Sequence, residues 1–160
     1  MNSCYNLGSD GVWTADDITA LQELYGGSFC DLYDGETIAL RTVHGRYVRA
    51  GNSGEGWRVN QQTSIGSWER FVVECDSAQA SLRSAHGRYV RAGDTNGYAV
   101  DQQTYSGPWE QLTPVLQDDG TWAFSTVHDR FLRAGGSNQS WTLDQQTYVG
   151  PWEKFTVVPQ

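Results

Sequence analysis

Arg41-Thr-Val-His-Gly-Arg-Tyr-Val-Arg-Ala-Gly51 returns as Arg83-Ser-Ala-His-Gly-Arg-Tyr-Val-Arg-Ala-Gly93, and again as Ser125-Thr-Val-His-Asp-Arg-Phe-Leu-Arg-Ala-Gly135. A second block follows each copy: Val59-Asn-Gln-Gln-Thr63 with Trp68-Glu69, Val100-Asp-Gln-Gln-Thr104 with Trp109-Glu110, and Leu143-Asp-Gln-Gln-Thr147 with Trp152-Glu153. His44, His86 and His128 are 42 residues apart, and the three tryptophans are 41 and 43 apart. A fixed period of this length marks a repeat architecture. Any surface made by one copy is therefore offered about three times.

One repeat reads as four short strands. Ile38–Val43 alternates as a half-buried strand, and His44-Gly45 turns it. Arg46–Ala50 is the second strand and Trp57–Gln61 the third; a turn at Gly66 leads through Trp68 to the fourth, Arg70–Val73. Twelve strands in three like units are too few copies for a propeller and lack the helical half of a solenoid. They predict an all-β fold, a β-trefoil of pseudo-threefold symmetry: six strands close a barrel and three hairpins cap one end, which disposes of sheet edges. The recurring apolar positions predict four rings of three in the core. These are Leu40, Leu82 and Phe124; Val48, Val90 and Leu132; Val59, Val100 and Leu143; and Phe71, Leu112 and Phe155. Trp68, Trp109 and Trp152 are expected to plug gaps between strands, with the following Glu held at a turn.

These strings carry a family resemblance. Gly-Arg-Tyr-Val-Arg-Ala, a spaced Val-Asn/Asp-Gln-Gln and then Gly-x-Trp-Glu-x-Phe resemble the repeat of fascin-like β-trefoil domains, over about four fifths of the chain. Animal fascins join four such domains and bundle actin. Bacterial and fungal fascin-like modules resemble accessory domains of secreted enzymes, many acting on polysaccharides. The resemblance implies a fold and a binding role; it does not imply a particular site.

The first thirty residues differ. Thr14-Ala-Asp-Asp-Ile-Thr-Ala-Leu-Gln-Glu-Leu-Tyr-Gly26 reads as one helix, about 15–25, capped by Thr14, with Ile18, Leu21 and Leu24 or Tyr25 on one stripe and Gly26-Gly27 as its stop. The string resembles the last helix of matrixin-type (metzincin) zinc peptidases, and Met1-Asn-Ser-Cys-Tyr5 resembles their Met-turn. The expected organisation is residues 1–30 as the tail of such a catalytic domain, a linker near 27–34, and a trefoil over 31–160 with repeats at 33–77, 78–119 and 120–160. The resemblance implies a secreted, extracellular zinc metalloprotease as parent. The His-Glu-x-x-His run that would hold zinc is absent from the sequence. No cofactor and no catalysis are expected of this chain, and zinc belongs only to the parent.

Composition narrows the partners. A net charge of −8 speaks against nucleic acid and an anionic membrane surface, and no apolar run is long enough to span a bilayer. A monomer is expected. Among three cysteines, Cys30 and Cys75 lie at strand ends that a closed barrel brings together, which allows a disulfide; three reduced thiols fit the sequence equally. Asp16-Asp17 and Asp118-Asp119 are explained by a helix cap and a turn. The three histidines could converge on the threefold axis around a metal, or hydrogen-bond to backbone in turns.

The candidate ligand site repeats three times. Trp57, Tyr98 and Trp141 follow the variable hairpin loops, and three residues on stand Asn60, Asp101 and Asp144, then Gln62, Gln103 and Gln146 as the second of two glutamines. An aromatic face with planar amides and carboxylates is the chemistry that recognises sugars. The alternative is that the Asx-Gln-Gln run satisfies backbone groups in turns. The expected partner is a glycan or other extracellular polymer, with a protein partner, actin or a protease substrate, as the second reading.

Overall fold

The computed structural model describes residues 28–160. The helix read at 15–25, the Met-turn resemblance and Cys4 lie outside the described residues. The chain runs α1 (Phe29–Tyr33), β1 (Thr37–Arg41), β2 (Tyr47–Ala50), β3 (Val59–Gln62), β4 (Phe71–Asp76), β5 (Gln79–Arg83), β6 (Tyr89–Ala92), β7 (Val100–Gln103), β8 (Thr113–Leu116), β9 (Trp122–Ser125), β10 (Phe131–Ala134), β11 (Leu143–Gln146) and β12 (Thr156–Pro159).

Six of these strands form a closed ring. β1 pairs antiparallel with β4, β4 with β5, β8 with β9, and β12 with β1. Two bridges complete the circuit: Ala80 opposite Leu112 joins β5 to β8, and Trp122 opposite Phe155 joins β9 to the start of β12. These bridges repeat the Ile38–Phe71 pair of the first repeat. The remaining strands make the hairpins β2–β3, β6–β7 and β10–β11. All twelve residues of the four expected rings are buried, none more than 2% exposed. Each such burial contributes roughly 1.5–3 kcal/mol.

The stretch read as a linker holds α1 instead. Ser28 caps it by accepting from the Asp31 amide, and Asp31 accepts from the Ser28 amide in return. Phe29 enters the core, its ring 5.2 Å from Trp122 and 5.5 Å from Phe124. A disulfide joins Cys30 on α1 to Cys75 on β4. Five residues offer no 3.6-residue pattern to read, so the sequence shows only a break where the structure has a core plug.

Turn chemistry explains the departures of the third repeat. The residue after each histidine needs a left-handed backbone, with φ of 74° at Gly45 and Gly87 and 59° at Asp129. Aspartate tolerates that region better than most side chains, so the third copy can dispense with glycine.

Candidate functional site

The hairpin loops set the geometry. Trp57, Tyr98 and Trp141 all have left-handed backbones, with φ of 58°, 61° and 58°. A non-glycine residue there costs about 1–2 kcal/mol, and it persists only where its surroundings hold it. The holder is the first glutamine of the next repeat's Gln-Gln pair. Gln102, 3% exposed, donates to the carbonyls of Gly51 (2.8 Å) and Trp57 (3.2 Å), and accepts from the Ser84 hydroxyl (2.8 Å). Gln145 does the same for Gly93 and Tyr98, and Gln61 for Gly135 and Trp141. Each glutamine therefore locks one repeat to its neighbour.

The aromatic rings continue the lock. Arg88 stacks on Trp57 at 3.8 Å, Arg130 on Tyr98 at 3.7 Å, and Arg46 on Trp141 at 3.8 Å. The histidines lie between two aromatics: His86 between Trp57 and Trp68, His128 between Tyr98 and Trp109, His44 between Trp141 and Trp152. The Nε2 atoms of His44, His86 and His128 meet the backbone carbonyls of Ala134, Ala50 and Ala92 at 2.9–3.0 Å. They stand in three separate clusters and do not converge on the axis. Among the described residues no group of three metal-ligating side chains occurs.

The carboxylates complete each line of side chains. Arg91 makes a bidentate pair with Asp101 (2.7 and 2.7 Å) and lies toward the Trp109 ring; Arg133 pairs with Asp144 (2.7 and 2.6 Å) and lies toward Trp152. The hydrogen bonds that the two arginines donate to these aspartates hold both guanidinium pKa values above the ordinary arginine value. In the first repeat Asn60 carries no charge, and it accepts from Arg49 at 3.3 Å. Glu55, on the adjoining loop, supplies the missing carboxylate at 2.9 and 3.1 Å, and that bond lowers its pKa. The loop differences between repeats thus compensate a substitution in the strand.

Gln62, Gln103 and Gln146 face outward with Asn60, Asp101 and Asp144, as the strand alternation requires. Each accepts from the amide of the following threonine at 3.0–3.1 Å. The named candidate residues therefore divide. The aromatics tie repeats together, the Asx positions hold arginines, and the second glutamines shape turns. The three glutamates after the tryptophans are turn-holders as expected, accepting from Gly66, Gly107 and Gly150 at 2.7–2.8 Å.

Two surfaces lay outside the sequence reading. A cleft of about 300 Å³ is lined by Arg91, Tyr105, Pro108, Trp109 and Glu110. Its counterpart of about 310 Å³ is lined by Arg133, Tyr148, Gly150, Pro151, Trp152 and Glu153. Tyr105 is 60% exposed and Tyr148 61%. Each ring lies over the following glycine, close enough that a Cβ on Gly107 or Gly150 would touch it at 3.4–3.5 Å. The first repeat keeps Arg49, Trp68 and Glu69 but has Ser64 and Ser67 where the others have tyrosine and proline. The Thr-Tyr-x-Gly-Pro-Trp string, present in two copies of three, was the available signal.

No family model matches the chain, and no curated protein matches it. Solved structures do. A designed three-fold symmetric protein, ThreeFoil, is 23% identical with a TM-score of 0.67, covering 78% of this chain and 99% of that one. The chain is a β-trefoil. The trefoil also resembles part of a GlcNAcα1-4Gal-releasing endo-β-galactosidase from Clostridium perfringens (12% identity, TM-score 0.67, 78% of this chain) and part of a mosquitocidal holotoxin (17% identity, TM-score 0.70, 82% of this chain). It spans 32% and 17% of those two chains. At such identities the likeness concerns the fold.

Proposed function

We propose that this chain is a non-catalytic module that binds a carbohydrate or other extracellular polymer. The observation that carries the reading is the pair of equivalent clefts at Tyr105 and Tyr148. Each sets an exposed aromatic ring beside a tryptophan, an arginine held in place by an aspartate, and a buried glutamate. Sugar rings present C–H faces to aromatics and hydroxyls to such polar groups. Shallow clefts of this size suit one or two sugar units, and millimolar single sites, about −4 kcal/mol each, gain through effective concentration on a polymer. Trp57, Tyr98 and Trp141 are left out of the proposed site, since an arginine already stacks on each ring.

The likeness to part of a glycan-acting enzyme is in keeping with a module borne by a longer protein. The matrixin-like string at the start of the sequence supports a secreted zinc metalloprotease as that protein. The Cys30–Cys75 disulfide supports an oxidising, extracellular setting. In this reading the module holds the protease on its polymer and has no chemistry of its own.

Polysaccharide-bead pull-down with the full chain tests it. Wild type is retained, Tyr105→Ala with Tyr148→Ala loses retention about tenfold or more, and melting is unchanged because both rings are exposed. Retention on no polysaccharide overturns the reading and turns the search to a protein partner. Full retention by the double variant removes the clefts as the site.

A further inference from the structure

A groove of the described surface lies across the seam where β12 closes the barrel onto β1. It measures about 570 Å³, and its lining includes Arg41, Thr42, His44, Asp119, Thr121 and Lys154. Pro151 lines both this groove and the Tyr148 cleft, so the two adjoin. We infer that the groove is an anion-binding subsite that takes the carboxylate or sulfate group of an acidic polysaccharide whose neighbouring sugar occupies the Tyr148 cleft. This rests on the polymer-binding reading above and names the class of polymer.

Charge and register point to the groove. Lys154 is the chain's one lysine, and it stands here. Its contact with Asp119 is long, 3.7 Å, and the Asp119 carboxylate is already engaged by Thr121. That hydrogen bond, more than the lysine, holds the Asp119 pKa below the ordinary range. Arg41 makes no ion pair or side-chain hydrogen bond among the described residues. Its equivalent one repeat on, Arg83, faces Glu74 at 4.0 Å across the β4–β5 ladder. On β12 the place of Glu74 is taken by Val158, which is opposite Ala39 as Glu74 is opposite Ser81. The third equivalent is Ser125, with no charge. The seam is thus the place where an arginine of this row lacks a carboxylate and a lysine joins it. Two cations against one carboxylate leave the groove positive on a chain of net charge −8. Such a site favours a polymer that carries anionic groups over a neutral one, against the repulsion of the remaining surface.

Affinity electrophoresis of the full chain in gels carrying polygalacturonate, dextran sulfate or neutral dextran tests the inference. Wild type is expected to be retarded more by at least one acidic polymer than by dextran, with retardation fading as salt rises. Polygalacturonate alone marks the group as a carboxylate, and dextran sulfate alone as a sulfate. Arg41→Gln and Lys154→Gln should each weaken retardation about tenfold, the size of one charge-assisted hydrogen bond, and Lys154→Arg should restore it. Arg58→Gln removes the same charge from an exposed site elsewhere and should change little. Equal losses for Arg41→Gln and Arg58→Gln would reduce the effect to net charge and overturn the subsite. Retardation by neutral dextran as strong as by either acid would do so too. If Tyr148→Ala abolishes retardation while Arg41→Gln and Lys154→Gln keep it, the subsite falls and the polymer-binding reading stands. Retardation by none of the three overturns the subsite, and the bead panel above then decides the wider reading separately.

Discussion

At the scale of single residues, the recurrent polar and aromatic positions act first as ties between repeats. The line Arg88, Trp57, His86, Trp68, Arg49 stacks two guanidinium groups and three rings across one boundary, and the other two boundaries copy it. A double-mutant cycle of Arg88→Ala and Trp57→Ala should give a coupling of about 0.5–2 kcal/mol in denaturant unfolding; additive losses would mean that the stack contributes nothing. Gln102→Leu strands the buried Gly51 carbonyl, the part-buried Trp57 carbonyl and the Ser84 hydroxyl and should cost about 2–4 kcal/mol. Gln103→Leu, next to it, should cost a few tenths. That contrast marks where the sequence could have been read more closely. Both glutamines recur in all three copies, but Val59, Val100 and Leu143 were already assigned inward. The two-residue period of a strand then sends the first glutamine inward and the second out. Burial raises the Glu153 pKa above the ordinary carboxylate range. A raised carboxyl pKa is a penalty that is complete above the folded value and relieved as pH falls toward the unfolded one. Glu153→Gln keeps an acceptor for the Gly150 amide and should therefore raise the melting temperature at pH 8. The gain should disappear near pH 4; a gain independent of pH would refute burial of charge as its cause.

At the scale of elements, the strands and their core were legible and the helix was not. Each ring residue was found because three copies vote on one position: Leu40, Leu82 and Phe124 differ in type but agree in being apolar. Ile38, Ala80 and Trp122 form an equivalent set, all buried, yet an isoleucine, an alanine and a tryptophan do not announce a shared role. Their unequal sizes are reconciled by α1, whose Phe29 packs on Trp122. Nothing repeats α1, so no internal comparison could reveal it. A five-residue helix is unstable alone, and what holds this one is Phe29, its cap and the disulfide to β4. The bridge closes 45 residues, which in the chain-entropy account corresponds to about 4 kcal/mol. Reduction, or Cys75→Ser, should lower unfolding stability by up to that amount and raise amide exchange first in α1. Equal exchange throughout the first repeat would show that α1 and the barrel open together.

At the scale of the whole molecule, the threefold geometry and the proposed twofold binding part company. The barrel treats its repeats alike, but Tyr105 and Tyr148 have only Ser64 as their counterpart, and Pro108 and Pro151 only Ser67. The sequence reading looked for a site in what all copies share, and what all copies share is what closes the fold. The clefts are found in what two copies share, where selection by packing is relaxed because the rings are exposed. The proposed module is therefore divalent, and its avidity can be raised without touching either existing cleft. Ser64→Tyr with Ser67→Pro completes the string in the first repeat, where Arg49, Trp68 and Glu69 already stand. Ser67 opens a 3-10 turn as Pro108 and Pro151 do, so proline's fixed φ suits it. On a polymer that retains the wild type, a third site linked rigidly to two should raise retention about tenfold or more. Isothermal titration with a short oligosaccharide of the same polymer should move from two sites to three. An unchanged stoichiometry in a folded variant would show that the tyrosine cleft is not the binding unit.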